Sequence, residues 1–295
     1  MECGRVLVGA RPRPALSPVP GPRPFGGISY PDPAEQRLVH TATEIMVRDC
    51  MRATGHDYQP VPAADLTRVS AANPYALLDT AHAHADGYGI VGEALSGSSG
   101  SPPNPNKAAL AQLSKPDREK WEVALTGTPR HRRTVELSDG GKIMFNTDGC
   151  LHTARRSLLG DDWDRLSAQA ESNTNQVIAR VTEAATVKSA VTDWSSCMKK
   201  AGYEYADLQG PRGDIADRWQ AATTSETRKS VAQFELAVAK ADSRCEESVR
   251  LADVVRSAQE QAEAELTTPG VTADHDALRK AWTSAKAHAA TIAGA

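Results

Sequence analysis

The sequence predicts a mainly α-helical protein made of two related disulfide-closed units, with one small β-hairpin. Over most of the chain, apolar residues recur at steps of three and four, which is the period of an amphipathic helix. An alternating pattern, typical of strands, occurs in the segment TVELSDGGKIMF (134–145). The motif Cys-Met-basic-x-x-Gly-x-acidic-Tyr occurs twice, as CMRATGHDY (50–58) and CMKKAGYEY (197–205). This repetition indicates that the two halves are diverged copies.

Composition and charge argue against two classes of function. The formal net charge of −3 does not provide the basic surface that nucleic-acid-binding domains carry, so no nucleic-acid partner is expected. No stretch approaches the apolar length of a membrane-spanning helix, so no transmembrane segment is predicted. With 40% hydrophobic and only 5% aromatic residues, the chain is expected to pack mainly through Ala, Val and Leu.

The first 33 residues are rich in Pro, Arg and Gly, and they are predicted to form a disordered leader because they offer little apolar surface. They lack the apolar run that a signal peptide carries before its cleavage site. An alternative is that the true start codon lies upstream of Met1. Cys3 has no expected partner. Such a leader would suit a tether close to a membrane.

The first predicted unit spans residues 34–165. Gly55 fits the left-handed conformation that ends a helix, and Ser114 followed by Pro116 favours the start of another. The predicted elements are helices over 34–54, 74–85, 114–127 and 150–159, a solvated Gly/Ser/Pro loop over 92–106 and the hairpin over 133–145.

The second predicted unit spans residues 166–295 and contains longer helices, because its apolar residues keep helical and heptad-like spacing over longer stretches. The predicted elements are one long amphipathic helix that ends at Gly202, a short helix from Asp214, the longest helix from Thr224 or Ser225 to residue 268, and a final Ala-rich helix.

Four of the five cysteines are predicted to form disulfide bonds, although sequence alone does not fix the connectivity. If the halves are related, the matching pairs are Cys50 with Cys150 and Cys197 with Cys245, and each half is closed by its own bond. Two alternatives remain open. The cysteines could be reduced, buried thiols of a cytosolic protein, or one could be a catalytic thiol with a His partner distant in sequence.

The sequence contains no catalytic or cofactor-binding signature, and no metal site is predicted. The nearest zinc candidates are Cys50 with His56 and His82 with His84. Both lack the paired short spacings of structural zinc ligands. The two histidines at 82 and 84 are expected to lie on a helix surface.

Four segments carry a resemblance to a known group: CMRATGHDY, CMKKAGYEY, LSKPDREKWEVALTG and DGCLHTARRSLLGD. The chain resembles extracytoplasmic, lipoprotein-like proteins of high-GC actinobacteria with paired CMxxxGxxY motifs. The similar part covers residues 34 to about 161 and recurs in part to Arg250. That resemblance implies a secreted or envelope-anchored helical protein with disulfides, and it implies no activity, cofactor or site residue. The signal peptide and lipobox usual in that group are not visible here.

The leading functional hypothesis is a non-catalytic extracytoplasmic or cell-envelope protein that binds a protein or small-molecule ligand in a cleft between its halves, or through exposed helix faces. Tyr58 and Tyr205 are candidates to line such a cleft, although packing over the neighbouring disulfide bonds is favoured for both. One alternative is an enzyme, hydrolytic or biosynthetic, that uses carboxylates near the cysteines such as Asp148 or Asp242. A second alternative is a cytosolic accessory protein.

Overall fold

The computed structural model describes residues 19–64, 72–96 and 102–294. Most of these residues lie in α-helices, and the sheet among them is a two-stranded antiparallel hairpin, so the predicted mainly α fold is confirmed. The helices are α1 (Pro33–Ala53), α2 (Thr80–Ala85), α3 (Ile90–Ser96), α4 (Lys107–Gln112), α5 (Lys115–Thr126), α6 (Cys150–Leu159), α7 (Trp163–Glu183), α8 (Ala185–Lys200), α9 (Gly210–Ala221), α10 (Ser225–Ser248), α11 (Leu251–Leu266) and α12 (Pro269–Ala293). The strands are β1 (Arg132–Glu136) and β2 (Lys142–Asn146), and short 3₁₀ turns lie at Pro24–Gly27 and Pro129–His131.

Both predicted disulfide bonds are present. Cys50–Cys150 joins the last turn of α1 to the first residue of α6, with the two Cα atoms 5.7 Å apart. Cys197–Cys245 joins α8 to α10, and its Cα atoms are 5.6 Å apart. The alternatives that treat these four cysteines as buried or catalytic thiols do not fit this structure.

Both copies of the repeated motif end a helix in the same way. In each, a glycine in the left-handed region (Gly55, φ 82°; Gly202, φ 91°) turns the chain, and the methionine after the cysteine is fully buried. The N–H groups at and after the glycine return to carbonyls of the last turn, which is the Schellman arrangement. These bonds run from His56 to Met51 (2.9 Å) and from Gly55 to Arg52 (3.0 Å), and from Tyr203 to Met198 (2.9 Å) and from Gly202 to Lys199 (3.1 Å). The motif is therefore a helix end in both places, while common descent of the halves stays a prediction.

The hairpin lies where the alternating pattern predicts it. Val135 of β1 pairs with Ile143 of β2, and the Leu137 N–H donates to the Gly141 carbonyl across the turn at 2.8 Å. The hydroxyl of Ser138, at the tip, hydrogen-bonds to the side chains of α7 and so fixes the hairpin on that helix.

The two long helices predicted for the second unit are each broken in two. Ala184, between α7 and α8, is extended (φ −60°, ψ 131°), and Arg250, between α10 and α11, is left-handed (φ 52°). Neither break is marked by Gly or Pro. The apolar spacing continues across both breaks because the residues on either side pack into the same apolar core. The sequence pattern therefore does not record either break, and the prediction of continuous helices is wrong.

The helix and the loop predicted between residues 74 and 106 have different limits in the structure. The helix predicted over 74–85 begins only at Thr80, because the residues before it bond to other helices; the Tyr75 hydroxyl, for example, donates to Gln259 at 2.9 Å. The loop predicted over 92–106 starts inside α3.

The short helix predicted from Asp214 begins earlier, at Gly210. The Asp207 carboxylate accepts the Gly210 N–H at 2.9 Å, and Pro211 occupies a position where its missing N–H costs nothing. Residues 97–101 of the predicted Gly/Ser/Pro loop lie outside the described residues.

Residues 19–32, which the sequence places in a disordered leader, pack against the helical body. The Phe25 N–H donates to the Glu263 carboxylate of α11 at 2.7 Å, and the Arg23 carbonyl accepts a side-chain amide from the same helix at 3.1 Å. The rest of the predicted leader, residues 1–18, lies outside the described part of the chain.

The last helix closes the fold against the first. α12 packs along α1, α6 and α7, and it buries Ala285 and Ala289 against Val39 and Ala42 of α1. A C-terminal helix therefore completes the core around the N-terminal one, while the division into units at residue 165 stays a prediction. In the described residues, none of the helices has the length and apolar character needed to cross a membrane.

Removing either disulfide bond should lower the free energy of unfolding by about 4 to 5 kcal/mol, because the bonds close long loops in the unfolded chain. The sequence separations are 100 and 48 residues. The double variants Cys50→Ala/Cys150→Ala and Cys197→Ala/Cys245→Ala are compared with the wild type by equilibrium denaturation, with Cys3→Ala as the control. Free thiols at the bonded positions, found by non-reducing peptide mass spectrometry of protein made in an oxidising compartment, would contradict the pairing.

Candidate functional site

A cavity of about 630 Å³ lies where the N-terminal segment crosses α7 and α12. Residues 25–31 form one wall, the start of α1 contributes Glu35, and the two long helices supply the other walls. The volume falls within the roughly 300–1,000 Å³ that small-molecule sites occupy. We define this space and its lining residues as the aromatic cavity.

Four aromatic rings line the aromatic cavity: Phe25, Tyr30, Trp163 and Trp282. Trp163 of α7 and Trp282 of α12 stack on each other, with ring centroids 5.7 Å apart and an interplanar angle of 24°. The whole chain has only five Trp, six Tyr and three Phe. A substantial share of a scarce residue class is therefore gathered at one place.

Phe25 is held in an unfavourable backbone conformation beside the cavity. Its φ of 51° is left-handed, which is uncommon for a residue other than Gly, Asn or Asp. Its N–H bonds to Glu263, and its ring meets the ring of the buried His275 edge-on at 4.6 Å. Strain of this kind persists where the surrounding structure fixes the residue, and it is common at ligand sites.

Glu35 orients the indole of Trp282. The Trp282 Nε1–H donates to one carboxylate oxygen of Glu35 at 2.9 Å, and the Lys286 ammonium donates to the other. These two hydrogen bonds, with that of Lys286 the larger cause, hold the pKa of Glu35 below its usual value. The carboxylate therefore stays ionised at neutral pH, and Lys286 balances its charge.

The remaining polar groups of the aromatic cavity are mostly uncharged. The hydroxyls of Ser29 and Thr174 hydrogen-bond to each other across the wall at 2.9 Å. Asn175 contributes an amide, while Glu171 and Arg279 contribute exposed charges of opposite sign. The cavity therefore offers donors and acceptors together with apolar ring faces, without a dominant charge.

None of these lining residues is among the sequence-predicted site residues. They come from three distant parts of the chain, residues 25–35, 163–175 and 278–282, so no local motif connects them. The rarity of Trp is the one sequence signal that could have pointed to two of them.

The predicted cleft residues lie elsewhere. Tyr58 is only 4% exposed, donates its hydroxyl hydrogen to Glu44 at 2.8 Å, and stacks with Trp121 in the apolar cluster that contains the first disulfide bond. Tyr205 is half-buried, and its hydroxyl donates to Asp214 at 2.8 Å. Neither tyrosine lines the aromatic cavity.

Asp148 lies two residues before the start of α6 and contacts the turn that contains Thr128 and His131. It accepts hydrogen bonds from the Thr128 N–H and hydroxyl, both at 2.8 Å, and from the His131 ring at 2.9 Å. The bonds from Thr128 are the main reason that the pKa of Asp148 is lowered. Asp148 is thus an ionised group that holds the turn before the hairpin.

Asp242 and Glu246 form a buried pair on α10. Asp242 is fully buried and accepts the Trp194 Nε1–H at 2.7 Å and the Tyr88 hydroxyl at 2.6 Å. Glu246 is 5% exposed and accepts the Leu78 N–H at 3.0 Å. The two carboxyl groups also hydrogen-bond to each other. The pair therefore joins α10 to α8 and to the segment before α2.

Burial raises the pKa of both carboxyl groups, because the charged form loses its hydration. The pKa of Glu246 is raised to about 9, and the Asp242 charge adds to the effect of burial. Glu246 is therefore protonated at neutral pH and donates its proton toward Asp242. Glu246 also borders a second cavity, of about 640 Å³, with Arg250 and Arg256 among the other lining residues.

Among the described residues, no group of three or more His, Cys, Asp or Glu side chains is placed to hold a metal ion. Comparisons of the chain with protein-family models, with curated proteins and with solved structures found no match. The functional assignment therefore depends on the geometry of the sites.

The Glu246→Gln variant should remove a pH dependence of stability. A carboxyl group whose pKa rises on folding, here from 4.5 to about 9, contributes stability that is complete below pH 4.5 and is lost as the pH rises toward 9. A glutamine keeps both hydrogen bonds at every pH. The stability of the variant relative to the wild type should therefore rise by up to about 1.4 kcal/mol per pH unit over this range.

Urea denaturation at a series of pH values measures this difference. The control is Glu247→Gln, which removes an exposed carboxylate from the adjacent position and should leave the pH profile nearly parallel to that of the wild type. Parallel profiles for Glu246→Gln as well would contradict the proposed protonation of Glu246.

Proposed function

We propose that this protein is a non-catalytic extracytoplasmic binding protein whose small-molecule ligand occupies the aromatic cavity. The observation that carries this proposal is the gathering of four aromatic rings around one cavity of about 630 Å³ in a chain with few aromatic residues. Apolar rings with a few placed polar groups are the usual lining of small-molecule sites.

The fixed positions of the rings support a binding function. Trp282 is oriented by Glu35 and by stacking on Trp163, and Phe25 is fixed by Glu263 and His275. A site whose groups are already ordered loses less conformational entropy when the ligand binds. The strained backbone of Phe25 indicates that the surrounding structure maintains this wall.

The compartment is proposed from the two disulfide bonds. Such bonds persist in oxidising compartments and are rare in the cytosol. The resemblance to extracytoplasmic, lipoprotein-like proteins of actinobacteria points to the same compartment. A cytosolic accessory protein is less well supported for the same reason.

An enzyme is the second candidate, and the Asp242–Glu246 pair favours it. A neutral carboxyl group that is paired with a second carboxyl group and borders a cavity is an arrangement that general acids use. Both carboxyl groups, however, already hold other parts of the chain through hydrogen bonds. A structural role accounts for the pair, so the binding function is preferred.

The Ser167→Trp variant tests the binding function, because Ser167 is half-buried in the wall of the aromatic cavity and an indole there would occupy part of the space beside the aromatic rings. The control is Ser284→Trp, at an exposed position of α12 that does not line the cavity. Saturation-transfer NMR with a library of neutral, cationic and anionic fragments should reveal compounds that bind the wild type and Ser284→Trp but not Ser167→Trp.

Two results would overturn the proposal. One is the absence of any fragment that binds the wild-type protein. The other is a set of bound fragments whose signals are the same in Ser167→Trp, which would place binding outside the aromatic cavity.

A further inference from the structure

We infer that the ligand of the aromatic cavity is a neutral saccharide, an inference that rests on the proposed binding function. A sugar ring has faces of C–H groups and an edge of hydroxyls. A cavity that recognises a sugar needs aromatic faces that contact the C–H groups. It also needs hydrogen-bond donors and acceptors that contact the hydroxyls. The aromatic cavity provides both.

The aromatic surface comes from Trp163 and Trp282, whose stacking covers one face of each ring, so at most the other face of each is open to a ligand. The face of an aromatic ring is electron-rich, so it attracts the weakly positive C–H groups of a sugar as well as burying them. Trp163 and Trp282 keep a fixed relative orientation, because they stack at 5.7 Å and because Glu35 holds the Trp282 N–H. Phe25 and Tyr30 face the same space from the N-terminal segment.

The polar groups can serve hydroxyls, which both donate and accept. An ionised carboxylate accepts up to about four hydrogen bonds, and Glu35 uses two sites on Trp282 and Lys286. Ser29 and Asn175 add a hydroxyl and an amide, while the buried Thr174 hydroxyl is the hydrogen-bond partner of Ser29. The lining can therefore act as acceptor and donor around the edge of a sugar ring.

The charges favour a neutral ligand over an ion. Aromatic rings with carboxylates can also bind organic cations, but Lys286 already neutralises Glu35. Arg279 is paired with Asp276 at 2.8 Å, and Glu171 is exposed to solvent, which screens its charge. Carboxylates at the wall disfavour an anion.

Saturation-transfer NMR and calorimetry test the inference with the full chain. The probes are glucose, galactose, N-acetylglucosamine, maltose and trehalose, with tetramethylammonium and choline as the cationic comparison. At least one of the sugars should bind the wild type, and the Ser167→Trp variant should not bind it. The cations should bind more weakly than that sugar.

Three variants locate the contacts. Trp282→Leu and Trp163→Leu should each weaken sugar binding roughly tenfold, which corresponds to about 1.4 kcal/mol for the loss of one aromatic contact. The matched control is Trp219→Leu, which removes a half-buried indole from outside the cavity and should not change the affinity. Thermal unfolding checks that every variant is folded, and having two cavity variants keeps the test valid if one of them is not.

The outcomes separate the two proposals. If fragments bind in the cavity but no sugar binds, the saccharide inference is overturned and the binding function stands. The same conclusion follows if a cation binds more tightly than every sugar. If no fragment or sugar responds to Ser167→Trp, both are overturned. Sugar binding that is unchanged in Trp163→Leu and Trp282→Leu would also contradict the inference.

Discussion

Three buried carboxyl groups on α10 hold the irregular segment that precedes α3. Glu235, Asp242 and Glu246 lie on one side of the helix and are 2%, 0% and 5% exposed. Glu246 accepts the Leu78 N–H, and Asp242 accepts the Tyr88 hydroxyl. Glu235 accepts the first two N–H groups of α3, so it caps that helix from another element. The buried polar groups of this irregular segment thus obtain the hydrogen-bond partners that they require. Burial also raises the pKa of all three carboxyl groups.

The sequence predicted the structure correctly where a single local signal determines the backbone conformation. The glycines at 55 and 202 end helices because few other residues adopt the left-handed conformation, and the hairpin turn is also local. The disulfide pairing followed from comparing the two motifs. The helix breaks at Ala184 and Arg250 could not be predicted, because the apolar spacing continues across them and the helices on both sides pack into the same core. The aromatic cavity could not be predicted either, since its rings come from distant elements and only meet through tertiary structure.

The cavity and the first disulfide bond are connected through α1. The bond fixes α6 against α1, and α12 packs on both helices while carrying one of the stacked indoles. The start of α1 also supplies Glu35, which holds that indole. The geometry of the aromatic cavity therefore depends on helices that a covalent bond keeps together, although no cysteine lines it. The second disulfide bond joins α8 to α10.

The two disulfide bonds follow one another along the chain without overlapping: the first closes residues 50–150 and the second closes residues 197–245. Each can form as soon as its own stretch has been synthesised and exposed to an oxidant, without waiting for the other. The aromatic cavity has the opposite property, because Phe25 and Trp282 come from opposite ends of the polypeptide. During vectorial synthesis the crosslinks can be completed in order, whereas the cavity is completed only after the last helix has emerged.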